Sequence, residues 1–434
     1  MANYSATALV DQPSILSPVR GYTLRVFLIC LVGWSLTNMD QSLFGYAIPA
    51  IMSDFMIGID TIGWILSASF IFAALSVLLI GLLTDQFGRR VMLVLCLSVS
   101  AFLVGIHAFA TSLTILVILR TLAFGISAGI APISNTYAIE AAPARLRGIV
   151  TGLLQCGYPI GWFVASLLAV PLMKEYGWRA TFMPALAVVP LAFVLFKYLP
   201  ESKRFERIKD AQAQALNVGL EAGRPSMMTR LLELFKPDLR RKTILSFVAF
   251  FMYGGAYAGT AFYFPKFFSD VRGYSQEEAT ALVGLSYGIG VIGYIAASVI
   301  GEFYLTRRNT IVIWAWTGAL ATIGVIWLAT SYWSIVGWFG LMTMFFYGSA
   351  AVTTTFMTEI FPTRVRATGA AFSGSLAVNL GFASFPILVA KAITMWGWKE
   401  AFTLAVVPPL FICGLAVFGL ENVKSGREVD EIAV

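Results

Sequence analysis

Apolar runs of about twenty residues, the length that carries a helix across a bilayer, succeed one another from residue 25 to residue 420. They cover 25–51, 62–84, 91–110, 113–139, 148–173 and 180–199, then 243–268, 280–303, 311–329, 333–358, 368–393 and 401–420. In hydrocarbon a chain must satisfy its own backbone, so each run is expected as a helix. Only 12% of the residues are charged and 58% are apolar, against about 25% charged in soluble domains. The expected fold is therefore an all-α membrane protein of twelve transmembrane helices. Cys30, Cys96, Cys156 and Cys413 all fall inside runs without paired spacing, and His107 is the one histidine. Neither a disulfide, a metal site nor a cofactor is expected. With no phosphate loop and no nucleophile elbow in the sequence, nothing points to an enzyme.

The net charge of +7 would suit a nucleic-acid binder, but its distribution serves topology. Of 30 Lys and Arg residues, 22 fall on the side of the termini and the 200–242 segment, and 6 fall on the other. Such a bias puts the richer side in the cytoplasm. A plasma (inner) membrane protein with a cytoplasmic tail at 1–20, a cytoplasmic linker at 200–242 and a cytoplasmic tail at 421–434 is expected, with the lipid bilayer as partner and no nucleic acid. Residues 1–20 show no signal-peptide pattern.

The linker divides the runs six and six, and the two sets repeat. Glu140-Ala-Ala-Pro143-Ala-Arg145-Leu-Arg147 returns 219 residues later as Glu359-Ile-Phe-Pro362-Thr-Arg364-Val-Arg366. Tyr176-Gly177-Trp178-Arg179 returns after 220 as Trp396-Gly397-Trp398-Lys399. Matches at nearly one offset mean a duplicated unit, hence two pseudo-symmetric six-helix bundles at 21–199 and 243–420.

Between the second and third runs stands Gly81-Leu-Leu-Thr-Asp85-Gln-Phe-Gly88-Arg89-Arg90. Three charges and a turn belong at a membrane surface, not inside it. Gly81, Asp85, Gly88, Arg89 and Arg90 closely resemble the loop between helices 2 and 3 of the major facilitator superfamily of transporters. In the second half, Gly301 and the arginines Arg307 and Arg308 remain, but no aspartate matches Asp85; Glu302 stands at a different helix position. Pro200-Glu201-Ser202-Lys203-Arg204-Phe205 resembles the motif after helix 6 of sugar and metabolite porters, with Lys203 where a proline is usual. The resemblance lies nearest the proton-coupled branches that import sugar, aromatic, sialic and other organic acids.

Candidate site residues are those that a membrane interior tolerates poorly. Asp40, within Asn38-Met-Asp40-Gln41, lies mid-run, where a charge costs at least ~2.5–3.5 kcal/mol unless paired or wet. It is either a neutral structural aspartate or a proton carrier. Arg120 lies about 10 Å into the fourth run at 1.5 Å per residue. It forms either a fixed pair with Asp40 or a planar fork for a substrate carboxylate. An arginine there, followed by Gly125 and Gly129, also resembles a motif of proton-coupled family members. Tyr253 and Tyr257 share a helix face suited either to a ring or apolar body in the site or to packing against lipid or protein; Gln155, Tyr347 and Asn379 are weaker candidates for polar walls. At the cytoplasmic ends, Glu140 can reach Arg89 or Arg147, and Glu359 can reach Arg308 or Arg366. With Arg145 and Arg364 these form a candidate gate of pairs worth ~0–1 kcal/mol each when exposed, or simply solvated topology charges.

The resemblance implies a secondary active transporter: proton-coupled uptake of a small organic anion, aromatic or sugar acid, by alternating access, working as a monomer with substrate and protons as partners. An exporter by proton antiport is the alternative, since Gly152, Gly157, Pro159 and Gly161 are similar to a glycine–proline motif of drug exporters, although not contiguous. A non-transporting sensor is a third reading.

Overall fold

The computed structural model describes residues 21–143, 146–202, 231–362 and 365–422. Arg145, Arg364, the tails and residues 203–230 lie outside them. The first half runs α1 (Tyr22–Asp54), α2 (Ile59–Phe87), α3 (Arg89–Phe109), α4 (Leu113–Ala141), α5 (Arg147–Tyr176) and α6 (Trp178–Tyr198). In the second, α7 is two pieces, Arg240–Ala258 and Phe264–Arg272. There follow α8 (Gln276–Tyr304), α9 (Arg307–Leu328), α10 (Tyr332–Glu359), α11 (Thr368–Trp396) and α12 (Trp398–Phe418). The fold is thus the twelve-helix, two-bundle architecture. Among the described residues eleven helices are long and apolar enough to cross a membrane; the broken α7 completes the twelve.

The break corrects the expectation of one helix over 243–268. Pro265 has no N–H to return to the carbonyl of Ala261 and sits in the first turn of the second piece, where that loss costs nothing. Thr260 donates its hydroxyl to Ala256 O (2.8 Å), and Tyr263 N–H bonds to Thr260 O (2.9 Å), so the turn between the pieces carries its own hydrogen bonds.

The duplication is structural as well as textual. In the first half α1 packs on α5, α2 on α4 and α3 on α6; in the second α7 packs on α11, α8 on α10 and α9 on α12. The turns before α6 and α12 share one left-handed conformation, at Gly177 (φ 80, ψ 175) and Gly397 (φ 88, ψ 172). Both halves also join through the same device. A Cβ on Gly161 would stand 2.3 Å from Ser35 O on α1, and one on Gly381, 220 residues on, 2.4 Å from Phe251 O on α7. In lipid, where helices gain nothing from hiding apolar surface, such backbone approach supplies the packing. Gly161→Leu is therefore expected to destabilise by at least about 1–3 kcal/mol. Gly81→Leu, on a glycine with no neighbour within 4 Å, should be tolerated by the fold. Size-exclusion elution and thermal unfolding of the detergent-extracted variants check this; equal behaviour of the two would sink the argument.

The halves meet along two related seams, α2 with α11 and α5 with α8. At the end away from the 81–90 loop both are tight. A Cβ on Gly63 would meet Ile387 Cα and Pro386 O at 3.1 Å, and one on Gly284 would meet Ser166 Oγ at 1.8 Å. Gln276 also donates across to Tyr46 O (3.1 Å), and Thr394 to Asp60 (3.4 Å). At the loop end the seams differ. On the α5 side, Thr151 bonds Thr355 (3.1 Å) and Gly148 lies against Glu302 and Arg307. On the α2 side, Gly81 faces open space and the Asp85 side chain is 75% exposed.

Candidate functional site

Three layers of polar and aromatic groups run inward from the loop end. The first is at the loop end. Glu140 on α4 pairs with Arg89 (3.6 Å), which also reaches Asp85 (3.4 Å) one turn back. Glu201 accepts from the backbone N–H groups of Arg89 (3.1 Å) and Arg90 (3.3 Å). An acid there completes the start of α3, satisfying donors that a helix start leaves open. Ser202 donates to Glu140. The Arg90 guanidinium lies over Phe196 and bonds its carbonyl (2.7 Å). The second half repeats this arrangement one residue out of the expected register. Arg307, not Arg308, joins Glu359, and it binds Glu302 as well. Arg308 turns to the carbonyls of Phe418 (3.3 Å) and Leu420 (3.1 Å), as Arg90 does in the first half. Arg366 donates to Phe361 O (3.3 Å), and Arg147 opens α5.

The second layer is the buried charge. Asp40 and Arg120 are each 2% exposed, and no ion pair joins them, so the fixed pair considered above is not formed in this structure. Neither Asp40 carboxylate oxygen has a hydrogen-bond partner among the described residues, nor do Nε and Nη2 of Arg120. The guanidinium instead lies over the rings of Phe44 (4.4 Å) and Phe124 (4.7 Å), with Phe262 at 5.8 Å. Phe262 comes from the break in α7, so the second half reaches the first-half arginine through that turn. Cation–ring contacts soften the burial of a guanidinium but leave its in-plane donors for another acceptor. Gln41 donates to Ser127 (3.3 Å), and Asn38 to Trp34 O (2.7 Å) while its own carbonyl oxygen stays unpaired.

The third layer is aromatic. Tyr257 packs edge-on against Tyr158 (5.5 Å) and Tyr347 (5.2 Å), and Tyr158 and Tyr287 approach hydroxyl to hydroxyl at 3.5 Å. Gln155 Oε1 is buried and unpaired among the described residues, and the buried Tyr347 hydroxyl lies by those of Tyr287 and Thr260. Tyr253 is tied to the carbonyls of Phe346 and Tyr347 (3.4 Å each), and Asn379 donates to Ser375 O (2.7 Å) within its own helix. Those two side chains therefore brace the second half more than they face its partner. Tyr158, Trp162, Tyr287 and Phe262 were not singled out by sequence. The only signal was the four-residue spacing of Tyr158 and Trp162 on one helix face, weak in a chain with 14% aromatic residues.

An apolar membrane interior holding an uncompensated guanidinium, a separate carboxyl and a wall of rings between two rigid bundles can bind a small anion with a flat body. The sequence profile described as the Major Facilitator Superfamily matches residues 30–375. The niacin transporter of Acinetobacter baylyi is 23% identical, over 96% of this chain and 98% of its own. The 4-hydroxybenzoate transporter of Pseudomonas putida is 24% identical, over 93% and 94%. The gallate transporter of the same species is 28% identical, over 92% of each.

Proposed function

Because this chain belongs to the Major Facilitator Superfamily, and is a membrane transporter rather than an enzyme, we propose that it takes up a small aromatic or other organic acid together with protons. The halves rock about a central site, exposing it to one side and then the other. The observation that carries this reading is the Arg120 guanidinium, buried among rings with no carboxylate against it. Its planar fork matches a carboxylate in two parallel hydrogen bonds. The relatives' names support the same chemistry, for niacin, 4-hydroxybenzoate and gallate are all ring-bearing carboxylic acids. Asp40 is the proton carrier in this scheme. Asn38, Gln41, Gln155, Tyr257 and Tyr347 are walls of the site, whereas Tyr253 and Asn379 hold its frame.

The test is uptake of labelled 4-hydroxybenzoate or nicotinate by proteoliposomes under an imposed pH gradient, acid outside. Accumulation above equilibrium that a protonophore collapses is the expected result. Acid-driven extrusion from loaded vesicles would make the protein an exporter, and no movement of any acid in either direction would favour a sensor.

In the proposed orientation the 81–90 loop, both termini and the linker face the cytoplasm of a monomer in the plasma membrane, and we read the α2–α11 seam as open at that end, since Gly81 there has no neighbour within 4 Å. Closing that seam would bring Asp85 to the second half, where helix ends offer it a favourable dipole. Asp85→Asn is therefore expected to favour the inward-open state, because stabilisation is lost from the opposite state alone. A tenfold change in the ratio corresponds to ~1.4 kcal/mol. Single cysteines along the cytoplasmic half of the cavity, in a background lacking the four native ones, should then label faster from the cytoplasm and more slowly from outside. Unchanged labelling from both sides, in folded protein, would leave Asp85 as a topology residue.

A further inference from the structure

Several ring pairs join the two halves, and among the described residues one of them is stacked face to face. Trp162 of α5 and Tyr287 of α8 lie 4.6 Å apart between centroids with their planes 16° from parallel. The others meet edge-on or tilted, as Tyr158 does with Tyr257 (75°) and Phe70 with Phe382 (56°). The stack continues into the second half, where Tyr347 lies on the far side of Tyr287 at 5.5 Å and 24°. Trp162 and Tyr287 are both fully buried, yet Trp162 Nε1 has no hydrogen-bond partner among the described residues. Buried donors of that kind are costly to leave unmade. Stacked rings present flat faces that a planar ring can match, so an unpaired buried donor beside the one cross-half stack points to a place where a flat ligand is received.

Phe262 links the stack to Arg120. Phe262 lies 5.8 Å from the guanidinium carbon and 5.6 Å from the Trp162 ring. With Phe262 turned aside, a carboxylate held on Arg120 by hydrogen bonds of about 2.8 Å carries an attached six-membered ring toward Trp162. We propose that Trp162 and Tyr287 form the ring subsite for a planar aromatic carboxylate. The ligand's ring displaces their mutual stack and is held by one face from each half, while Arg120 holds the carboxylate. The inference rests on the anion reading above and adds ring selectivity to it. The Trp162 N–H then serves an acceptor on the ring or its substituents, and a saturated, puckered ring of the same charge finds no flat faces to match.

The probes are benzoate and cyclohexanecarboxylate, alike in charge and size, with binding to purified protein followed by isothermal titration calorimetry. Wild type is expected to prefer benzoate by at least tenfold. Tyr287→Leu and Trp162→Leu should each bring that ratio close to one by weakening benzoate alone, while Tyr287→Phe, which keeps the ring, retains it. Trp162→Phe, a milder change, should give an intermediate ratio and serves if the leucine variants do not fold. An undiminished preference in folded Tyr287→Leu or Trp162→Phe would overturn the ring subsite, as would equal losses for both acids. Failure of wild type to bind either acid would instead remove the anion reading itself.

Discussion

Proton-driven accumulation is expected to vanish in Asp40→Asn, while exchange of labelled for unlabelled substrate across the membrane continues. Asp40 is an acid in the middle of α1, 2% exposed, with both oxygens unpaired among the described residues. An ionised carboxylate in such surroundings costs several kcal/mol unless a cation or hydrogen bonds compensate it. A group that must exchange proton for partner as the cavity changes sides is suited to coupling, and asparagine has no proton to give up. Shape and size are nearly kept, so the two bundles should still rock with substrate. The measurement compares net uptake under a pH gradient with equilibrium exchange in the same vesicles. Uptake still concentrated to the wild-type level would make Asp40 structural and place proton entry elsewhere.

Carboxylate affinity should fall more than tenfold, or about 1.4 kcal/mol, in Arg120→Lys. The charge survives this change, but the paired in-plane donors and the broad contact with Phe44 and Phe124 do not. An ammonium is also more strongly hydrated, so its burial between these rings costs more. Competition by benzoate and by an uncharged amide of the same ring separates the possibilities. Loss confined to the acid supports an anion-binding arginine. Equal affinity of wild type and variant for the acid would refute it.

Much of this architecture can be read directly, because the bilayer enforces it. Helix-length apolar runs have one solution in lipid, and Gly177 and Gly397 mark the duplication at the turns themselves. What stayed hidden depends on contacts between helices. The break in α7 lies inside a run that stays apolar through Phe268, so hydropathy passes over it, and Pro265 alone hinted at it. Arg307 and Arg308 are the same residue type on adjacent positions of one helix, about 100° apart around its axis. Charge pattern therefore cannot say which of them faces Glu359. Asp40 and Arg120 stood out for their cost, but whether they touch depends on the tilt of α1 against α4. The stack of Trp162 on Tyr287 unites residues from separate halves, and no spacing within either half encodes it.

The tight seam at the end away from the loop is made of glycines, rings and hydrogen bonds from uncharged donors, and no ion pair crosses it among the described residues. The ion pairs there and at the loop end, as far as they are described, each stay within one half. Screening by dissolved salt weakens charge–charge and charge–dipole attraction over distances of about 10 Å at 0.1 M, yet it leaves contact between uncharged surfaces almost untouched. With Asp85 acting as the proposed gate, ionic strength bears more on the closure at the loop end than on the other. On that proposal the two ends of the molecule obey different rules: a seal of fitted surfaces on one face, and on the opposite face a latch whose hold varies with the electrolyte that bathes it.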